Sequence, residues 1–265
     1  MSQCKSATVP FPASPPKSLS PTDPPDDDIK PKYQCLVGCL LYLSIATRPD
    51  IAFAAMWLGQ HTSKPTCAHF TITKHVLQYL SGCPKLALAY GNISSSLSPS
   101  LQGHFRILGC ADTDWASDTS DRCSVSGYCF FFHGSLVSWS SVKQRAVALS
   151  STKAEYYALT HALKEGIWMR IFLSLLHLPF SSPFPLFSDN QAALSISSSE
   201  TISACSKHID IKHHFICSHL KDGSFFVDWI TTSDMPTDIF TKSLLLPLFS
   251  KHCDALGLCT LPSLT

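Results

Sequence analysis

The stretch Gly109–Asp121, GCADTDWASDTSD, contains four aspartates within ten positions and directly follows an apolar-leaning run. The run that starts at Phe105 predicts a β-strand at about residues 104–111, so Asp112 lies where that strand ends. Aspartate favours turns and helix N-caps, but a carboxylate at a strand end can also belong to a catalytic site. The surroundings of these aspartates therefore decide both the fold and the candidate chemistry.

The composition predicts a globular protein. The chain has 265 residues, of which 45% are hydrophobic and 15% are charged, and this is enough apolar surface for a buried core. The formal net charge of +1 argues against a generally basic nucleic-acid-binding protein. A local basic strip would still bind phosphate.

The cysteines and the apolar runs indicate an intracellular protein outside the membrane. Twelve cysteines are scattered along the chain without a CxxC pair, which favours reduced thiols over a disulfide framework. The start of the chain does not have the pattern of a signal peptide. The longest apolar run near the start, Leu36–Ala46, is shorter than the roughly 20 residues of a membrane span. We expect a cytoplasmic or nuclear location and no membrane partner.

Changes in composition divide the chain into segments. Residues 1–32 are rich in proline and serine, which predicts a disordered tail. Helical periodicity in three pieces separated by prolines predicts a small helical unit at residues 33–91. A patch of serine, proline and glycine predicts a linker at 92–103. A second domain at 104–257 and a C-terminal tail at 258–265 complete the chain.

The second domain is predicted to have an α/β fold. Period-two patterns predict strands at about 104–111, 124–132, 136–140, 186–188 and 224–230. Helical patterns predict helices at about 152–177, from Asn190, at 207–221 and from Pro236. Three strands, a helix and then alternating elements indicate a mixed sheet with flanking helices.

Glu155 lies on the apolar face of the long predicted helix. Steps of four and three residues from Glu155 reach Leu159, Ala162, Gly166, Met169, Leu173 and Leu176. A carboxylate on that face points towards the sheet, where an unpaired charge is unfavourable without a cation or a donor. The alternative is a capping box in which Glu155 binds the amide of Thr152 at the helix start.

Asp189 follows the predicted strand at 186–188 and directly precedes NQAAL, where it would either cap a helix or face a ligand. Asp112, Glu155 and Asp189 at one sheet edge would repel one another unless divalent cations neutralise them. Carboxylate ligands suit Mg²⁺ or Mn²⁺. Two such ions promote in-line phosphodiester cleavage.

Nine short sequence blocks occur in a defined order along the chain. They are YQCLVGCLLYLSIATRPDIAFA, HFTITKHVLQYLSG, ADTDWASD, DRCSVSGYCFF, SWSSVKQRAVALSSTKAEYYAL, EGIWMR, SDNQAAL, KHIDIKHHFI and DMPTDIFTK. Together they resemble the end of the Pol polyprotein of copia-type LTR retrotransposons, from about Tyr33 to Gly257. One block alone would be weak evidence, but nine blocks in order are specific.

The resemblance implies a ribonuclease H domain after the linker, preceded by the end of a reverse transcriptase near its thumb and connection. It implies four catalytic and metal-binding acids, Asp112, Glu155, Asp189 and Asp238, with two Mg²⁺ ions, or Mn²⁺, as cofactors. Asp114 is the rival for the first position. Asp238 falls in the last predicted helix, where exposure on an outer face is the alternative. An RNA/DNA hybrid is the implied substrate, and the upstream reverse transcriptase portion is an implied partner.

A second group of residues could contact nucleic acid. Histidines and lysines cluster in the predicted helix 207–221, namely Lys207, His208, Lys212, His213, His214 and His219. The lack of a cysteine pair at zinc-ligand spacing favours a basic strip over a zinc site. With Lys143, Arg145 and Lys153, this strip would meet a phosphate backbone, and Trp115 and Trp139 would pack beside it.

Two functions remain open from the sequence. The first is a metal-dependent endonuclease that hydrolyses the RNA strand of RNA/DNA hybrids. The second is a catalytically inactive, transposon-derived remnant that at most binds nucleic acid. The departures from the family pattern, at Cys110, Cys123 and Lys153, remove none of the four acids. A polymerase motif of the YxDD type is absent from the sequence, so we expect no polymerase activity.

Overall fold

The computed structural model describes residues 5–12, 24–91, 107–116, 121–178, 183–198 and 207–261. The chain divides into two compact units, which we call unit 1 (Met1–Ala89 and Lys242–Thr265) and unit 2 (Tyr90–Thr241). The predicted linker at 92–103 lies outside the described residues.

Unit 1 is built mainly from helices. Its elements are α1 (Lys30–Ala46), a 3₁₀ helix (Pro49–Ile51), α2 (Ala52–Gly59), α3 (Cys67–Gly82), β1 (Leu86–Leu88), α8 (Leu246–Ala255) and β7 (Leu258–Thr260). The start of α3 is fixed by a capping box, in which the Thr66 hydroxyl accepts from the His69 amide and the His69 ring accepts from the Thr66 amide. Such reciprocal bonds satisfy amides that have no partner inside the helix.

Two terminal segments differ from their predictions. The expected disordered tail at 1–32 contains Phe11, which is buried and makes edge-to-face contacts with the rings of Phe53 and Trp57. Helix α8 lies within the predicted domain at 104–257 and β7 within the predicted C-terminal tail at 258–265, but both belong to unit 1, in which β7 pairs antiparallel with β1. Sequence periodicity carries no signal for such long-range pairing.

Unit 2 contains a mixed five-stranded sheet. Its elements are β2 (Ile107–Asp114), β3 (Val125–Phe132), β4 (Ser135–Lys143), α4 (Ser151–Leu175), β5 (Phe184–Ser188), α5 (Gln191–Ser198), α6 (Lys207–Lys221), β6 (Phe225–Trp229), a 3₁₀ helix (Thr232–Asp234) and α7 (Asp238–Thr241). The strand order is β4-β3-β2-β5-β6, with antiparallel pairing from β4 to β2 and parallel pairing from β2 to β6. The predicted α/β fold class, a mixed sheet with flanking helices, is confirmed.

Two local features position the ends of this sheet. The hairpin between β3 and β4 turns at His133 and Gly134, which both have positive φ angles, as two-residue hairpin turns require. Helix α4 covers one face of the sheet through a core that includes Phe130, Leu159 and Leu163.

Helix α7 approaches the sheet at Gly127. A Cβ atom at Gly127 would lie 2.8 Å from Phe240 Cβ and 2.9 Å from Thr241 Cγ2, so a larger residue would push the helix away. Gly127 is the register partner of Asp112 on β2. The small residue therefore brings the end of α7 next to Asp112.

A search of the helices within the described ranges finds none that is both long and apolar enough to cross a membrane.

Candidate metal centre

Three carboxylates from distant parts of the chain converge at one edge of the unit 2 sheet. Asp112, Glu155 and Asp189 each offer one oxygen, and these oxygens lie within 4.8 Å of one another. Asp112 and Glu155 are buried, and Asp189 is partly buried. This is the only group of three or more such side chains found in the part of the chain that the structure describes.

Asp112 lies inside a strand and not after one. Strand β2 continues to Asp114, and Asp112 is 3% exposed, so the expected strand end at residue 111 was placed too early. Pairing of β2 with β3 extends the strand through the aspartates. The Thr241 hydroxyl on α7 donates to Asp112 Oδ2 at 2.6 Å, which holds the carboxylate in place.

Glu155 faces inward from the first turns of α4. The N-cap of α4 is Ser150, whose hydroxyl accepts from the Lys153 amide, so the alternative capping box between Thr152 and Glu155 is wrong. Glu155 is 6% exposed, and it shares its helix face with buried Leu159 and Ala162. The apolar periodicity of the helix therefore located this carboxylate correctly.

Asp189 directly follows β5, as the sequence predicted. The Thr232 hydroxyl, in the 3₁₀ helix after β6, donates to Asp189 Oδ2 at 2.8 Å. The Trp229 indole N–H donates to the Asp189 backbone carbonyl at 3.3 Å. Because β5 and β6 are parallel, the segments that follow them meet at the same edge of the sheet.

Asp238, the fourth predicted acid, is not a member of the three-carboxylate group. It begins α7 and is 2% exposed, so the alternative of an exposed outer face is wrong. Its backbone carbonyl accepts from the Thr241 hydroxyl at 3.4 Å, and the same hydroxyl donates to Asp112. Asp238 thus lies one helical turn from a residue that contacts the group.

The other aspartates of the opening stretch lie outside the group. Asp114, the rival of Asp112, is the last residue of β2. Asp121 accepts from the Cys123 amide at 2.9 Å and forms an ion pair with Lys143 at 2.8 Å, in agreement with a loop-capping role. Asp118 lies outside the described residues.

The two threonines that hold the carboxylates were not predicted. Thr241 lies three residues after Asp238 in the block DMPTDIFTK, and Thr232 lies just before that block. A threonine hydroxyl this close in sequence to a predicted acid could have been proposed as a hydrogen-bond donor to the site. Its partners at positions 112 and 189 become visible only in the fold.

A basic cavity lies between the sheet and helices α4 and α6. Its volume is about 540 Å³, and Arg145, His161, Lys164 and Lys212 line it with Tyr157. The Lys212 ammonium lies 3.1 Å from the centroid of the Tyr157 ring. Burial, together with repulsion from Lys164 and Lys153, lowers the pKa of Lys212. Such a concentration of positive charge favours an anionic ligand.

The residues that line this cavity differ in part from those of the predicted basic strip. Lys143 pairs with Asp121, whereas Lys164, which was not predicted, joins Arg145 and Lys212. The spacing of Tyr157, His161 and Lys164 on one helix face was the available signal. His219 contacts Asp222 at 3.0 Å. The side chains of His208 and His213 lie outside the described residues, so the zinc alternative stays untested.

Trp115 and Trp139 were expected to pack beside the strip. The half-exposed Trp115 donates its indole N–H to the Ala148 carbonyl at 3.0 Å. Trp139 lies on β4 opposite Cys129. Both tryptophans therefore have structural positions in or beside the sheet.

Together, the fold and the site define a class of protein, an α/β domain whose sheet edge carries a carboxylate group compatible with a divalent metal. No family model matches the chain. The Pol polyprotein from transposon TNT 1-94 of Nicotiana tabacum is 37% identical over 213 residues, which are 80% of this chain and 15% of that protein. The Pol polyprotein from transposon RE2 of Arabidopsis thaliana is 32% identical over 265 residues, 99% of this chain and 17% of that protein.

The chain is homologous over most of its length to retrovirus-related Pol polyproteins of copia-type transposons. It spans 15% and 17% of the length of the two relatives named above. Among solved structures, LC11-RNase H1 in complex with an RNA/DNA hybrid is similar at a TM-score of 0.39 and 13% identity, over 51% of this chain and 93% of that one.

Proposed function

We propose that unit 2 is a metal-dependent endonuclease that hydrolyses the RNA strand of RNA/DNA hybrids. The observation that carries this proposal is the convergence of Asp112, Glu155 and Asp189 within 4.8 Å. Two of these carboxylates are buried, where like charges are strongly unfavourable without a compensating cation. A divalent cation bound between the three carboxylates would relieve this repulsion.

The donor set fits a hard divalent ion. All three side chains offer carboxylate oxygens, which are the ligands that Mg²⁺ and Mn²⁺ prefer. When bound, two such ions would activate a water and stabilise the leaving oxygen of a phosphodiester. Asp112, Glu155 and Asp189 would hold the ions, and Asp238 would support the site from α7.

The protein groups around the carboxylates fix their orientation before any ligand binds. Thr241 donates to one oxygen of Asp112, and Thr232 donates to one oxygen of Asp189. Orientation by neighbouring hydrogen bonds is what metal ligands require of their surroundings.

The basic cavity supplies a surface for the nucleic acid. Arg145, Lys164 and Lys212 would neutralise backbone phosphates, a contact that does not depend on base sequence. Discrimination between RNA and DNA would rest on the 2′-hydroxyl. We therefore expect cleavage without sequence preference.

For unit 1, we propose that residues 33–91 correspond to the end of a reverse transcriptase and carry no polymerase chemistry of their own. Primer extension on an RNA or DNA template with all four nucleotides tests this assignment. The proposal predicts no extension, and extension by the purified chain would overturn it.

The nuclease proposal is tested with the full chain, a labelled RNA/DNA hybrid and Mg²⁺. The expected result is fragmentation of the RNA strand only, and its loss on addition of a chelator. Single-stranded RNA and duplex DNA serve as substrate controls, and Asp121→Asn is a matched aspartate control outside the group. Intact RNA under conditions in which a control ribonuclease H cuts it would contradict the proposal.

One observation favours the alternative of an inactive remnant, because Asp238 is not part of the carboxylate group. The remnant would bind the hybrid equally well with and without Mg²⁺ and would not cleave it. Asp238→Asn refines the distinction. If Asp238 supports the site from α7, this change should reduce cleavage less than Asp112→Asn does.

A further inference from the structure

An exposed apolar stripe runs along the C-terminal half of α4. It consists of Trp168, Ile171, Phe172 and Leu175, which are 55%, 56%, 45% and 74% exposed. Their spacing places them on one side of the helix, while Met169 and Leu173 on another side are buried. The rings of Trp168 and Phe172 stack with a centroid distance of 5.3 Å. We call these four residues the α4 stripe.

Together with two leucines that follow the helix, the stripe forms a large exposed apolar patch. Leu176 and Leu178, just after the helix, are 52% and 50% exposed and extend it. If a fully exposed large apolar side chain contributes about 200 Å², six half-exposed ones present on the order of 600 Å². That is at the upper end of the roughly 300–600 Å² for the largest patch of a monomeric protein.

The charge around the stripe favours contact with an identical surface. Arg170 and His177 are the only ionisable residues between positions 166 and 178, and Arg170 donates to the Ser224 carbonyl of its own chain at 3.1 Å. Two antiparallel copies of the helix would therefore bring apolar side chains together without facing carboxylates or lysines. Such an isologous contact needs only one surface on each copy.

The area agrees with a weak dimer. A standard interface buries about 800 Å² on each partner, and transient interfaces bury less. The α4 stripe, together with Leu176 and Leu178, supplies most of that area. We propose that the α4 stripe is the interface of a homodimer of this chain, with a second copy as its occupant. This inference goes beyond the nuclease function and does not depend on the carboxylate group.

Sedimentation equilibrium of the full chain tests the proposal. The measurement is made under reducing conditions because several cysteines are exposed. The wild type should show a monomer–dimer equilibrium with a micromolar dissociation constant. Ile171→Gln with Leu175→Gln should weaken it at least tenfold, because glutamine keeps the helix propensity and removes apolar contact. Leu149→Gln, at an 84% exposed position outside the stripe, is the matched control and should dimerise like the wild type.

Three results would overturn the proposal. They are a wild type that stays monomeric at high micromolar concentration, equal dimerisation of the double variant and the control, and association only with a polymerase fragment added in trans. Circular dichroism checks that the variants fold. If the double variant does not fold, Ile171→Lys alone provides the same comparison at an exposed position.

Discussion

Asp50 in unit 1 and Asp112 in unit 2 are both almost fully buried, but the charges around them differ. Asp50 is 1% exposed and accepts from Arg48 Nε at 2.9 Å, Arg48 Nη2 at 2.7 Å and the Tyr79 hydroxyl at 2.7 Å. Asp112 is 3% exposed, accepts from the Thr241 hydroxyl and lies beside two more carboxylates. One aspartate has a cation from its own chain, whereas the other lies among acids.

The difference separates a structural carboxylate from one that we propose to be functional. A buried ion pair is complete within the fold, and its loss leaves an uncompensated charge. Carboxylates that are buried together repel one another, and a divalent cation from solution would relieve that repulsion. Burial alone therefore does not identify a site, and the charge of the neighbours does.

The largest expected effect is the loss of stability of unit 1 when the ion pair of Asp50 is removed. Asp50→Ala leaves Arg48 and Tyr79 without their acceptor and should destabilise unit 1 by about 3–5 kcal/mol. Hydrogen exchange with mass spectrometry measures this loss for unit 1 separately. Asp254→Ala, at an exposed position in α8, is the control and should have little effect. A small change for Asp50→Ala would show that the ion pair is not structural.

In the carboxylate group, substitution should affect activity and not folding. Glu155→Gln and Asp112→Asn each remove one ligand charge, and hybrid cleavage should fall by about a hundredfold or more, because metal stabilisation of the transition state contributes several kcal/mol. Hybrid binding should persist. Cleavage rates and binding titrations measure the two effects. Near-wild-type cleavage by Glu155→Gln would remove Glu155 from the metal site.

A third, smaller effect concerns another buried polar group of unit 1. Burial, with repulsion from His61, lowers the pKa of His69 from 6.5 to about 4. Its Nδ1 accepts from the Thr66 amide, so the folded state needs the neutral ring. The stabilisation is present above pH 6.5 and is lost as the pH falls towards 4, with about 2 kcal/mol lost by pH 5.

The matched control for this pH effect is His69→Gln, because glutamine can make the same capping bond without titrating. Urea unfolding of wild type and variant between pH 7 and pH 5 measures the difference. The variant should show the weaker pH dependence. Equal slopes for the two proteins would contradict the role of His69.

Local patterns in the sequence predicted much of unit 2. Helical spacing placed Glu155 on the buried face of α4, and the end of an apolar strand placed Asp189. The extension of β2 past Asp112 was missed, because strand length there depends on pairing with β3. Propensity is overridden by such tertiary contacts.

The contacts between distant residues could not be predicted in the same way. Thr241 and Asp112 are 129 residues apart, and Gly127 permits their approach only once α7 lies on the sheet. In unit 1, β7 pairs with β1 although the whole of unit 2 separates them in sequence. No periodicity within a short window contains this information.

Thermal unfolding with and without Mg²⁺, at constant ionic strength and without nucleic acid, tests the central claim that the carboxylate group binds a divalent cation. A ligand that binds only the folded state at ten times its dissociation constant stabilises it by about 1.4 kcal/mol. The account predicts that Mg²⁺ stabilises the wild type and Asp121→Asn, and that Asp112→Asn and Glu155→Gln respond much less. An equal response of all four proteins, or none in the wild type, would contradict it.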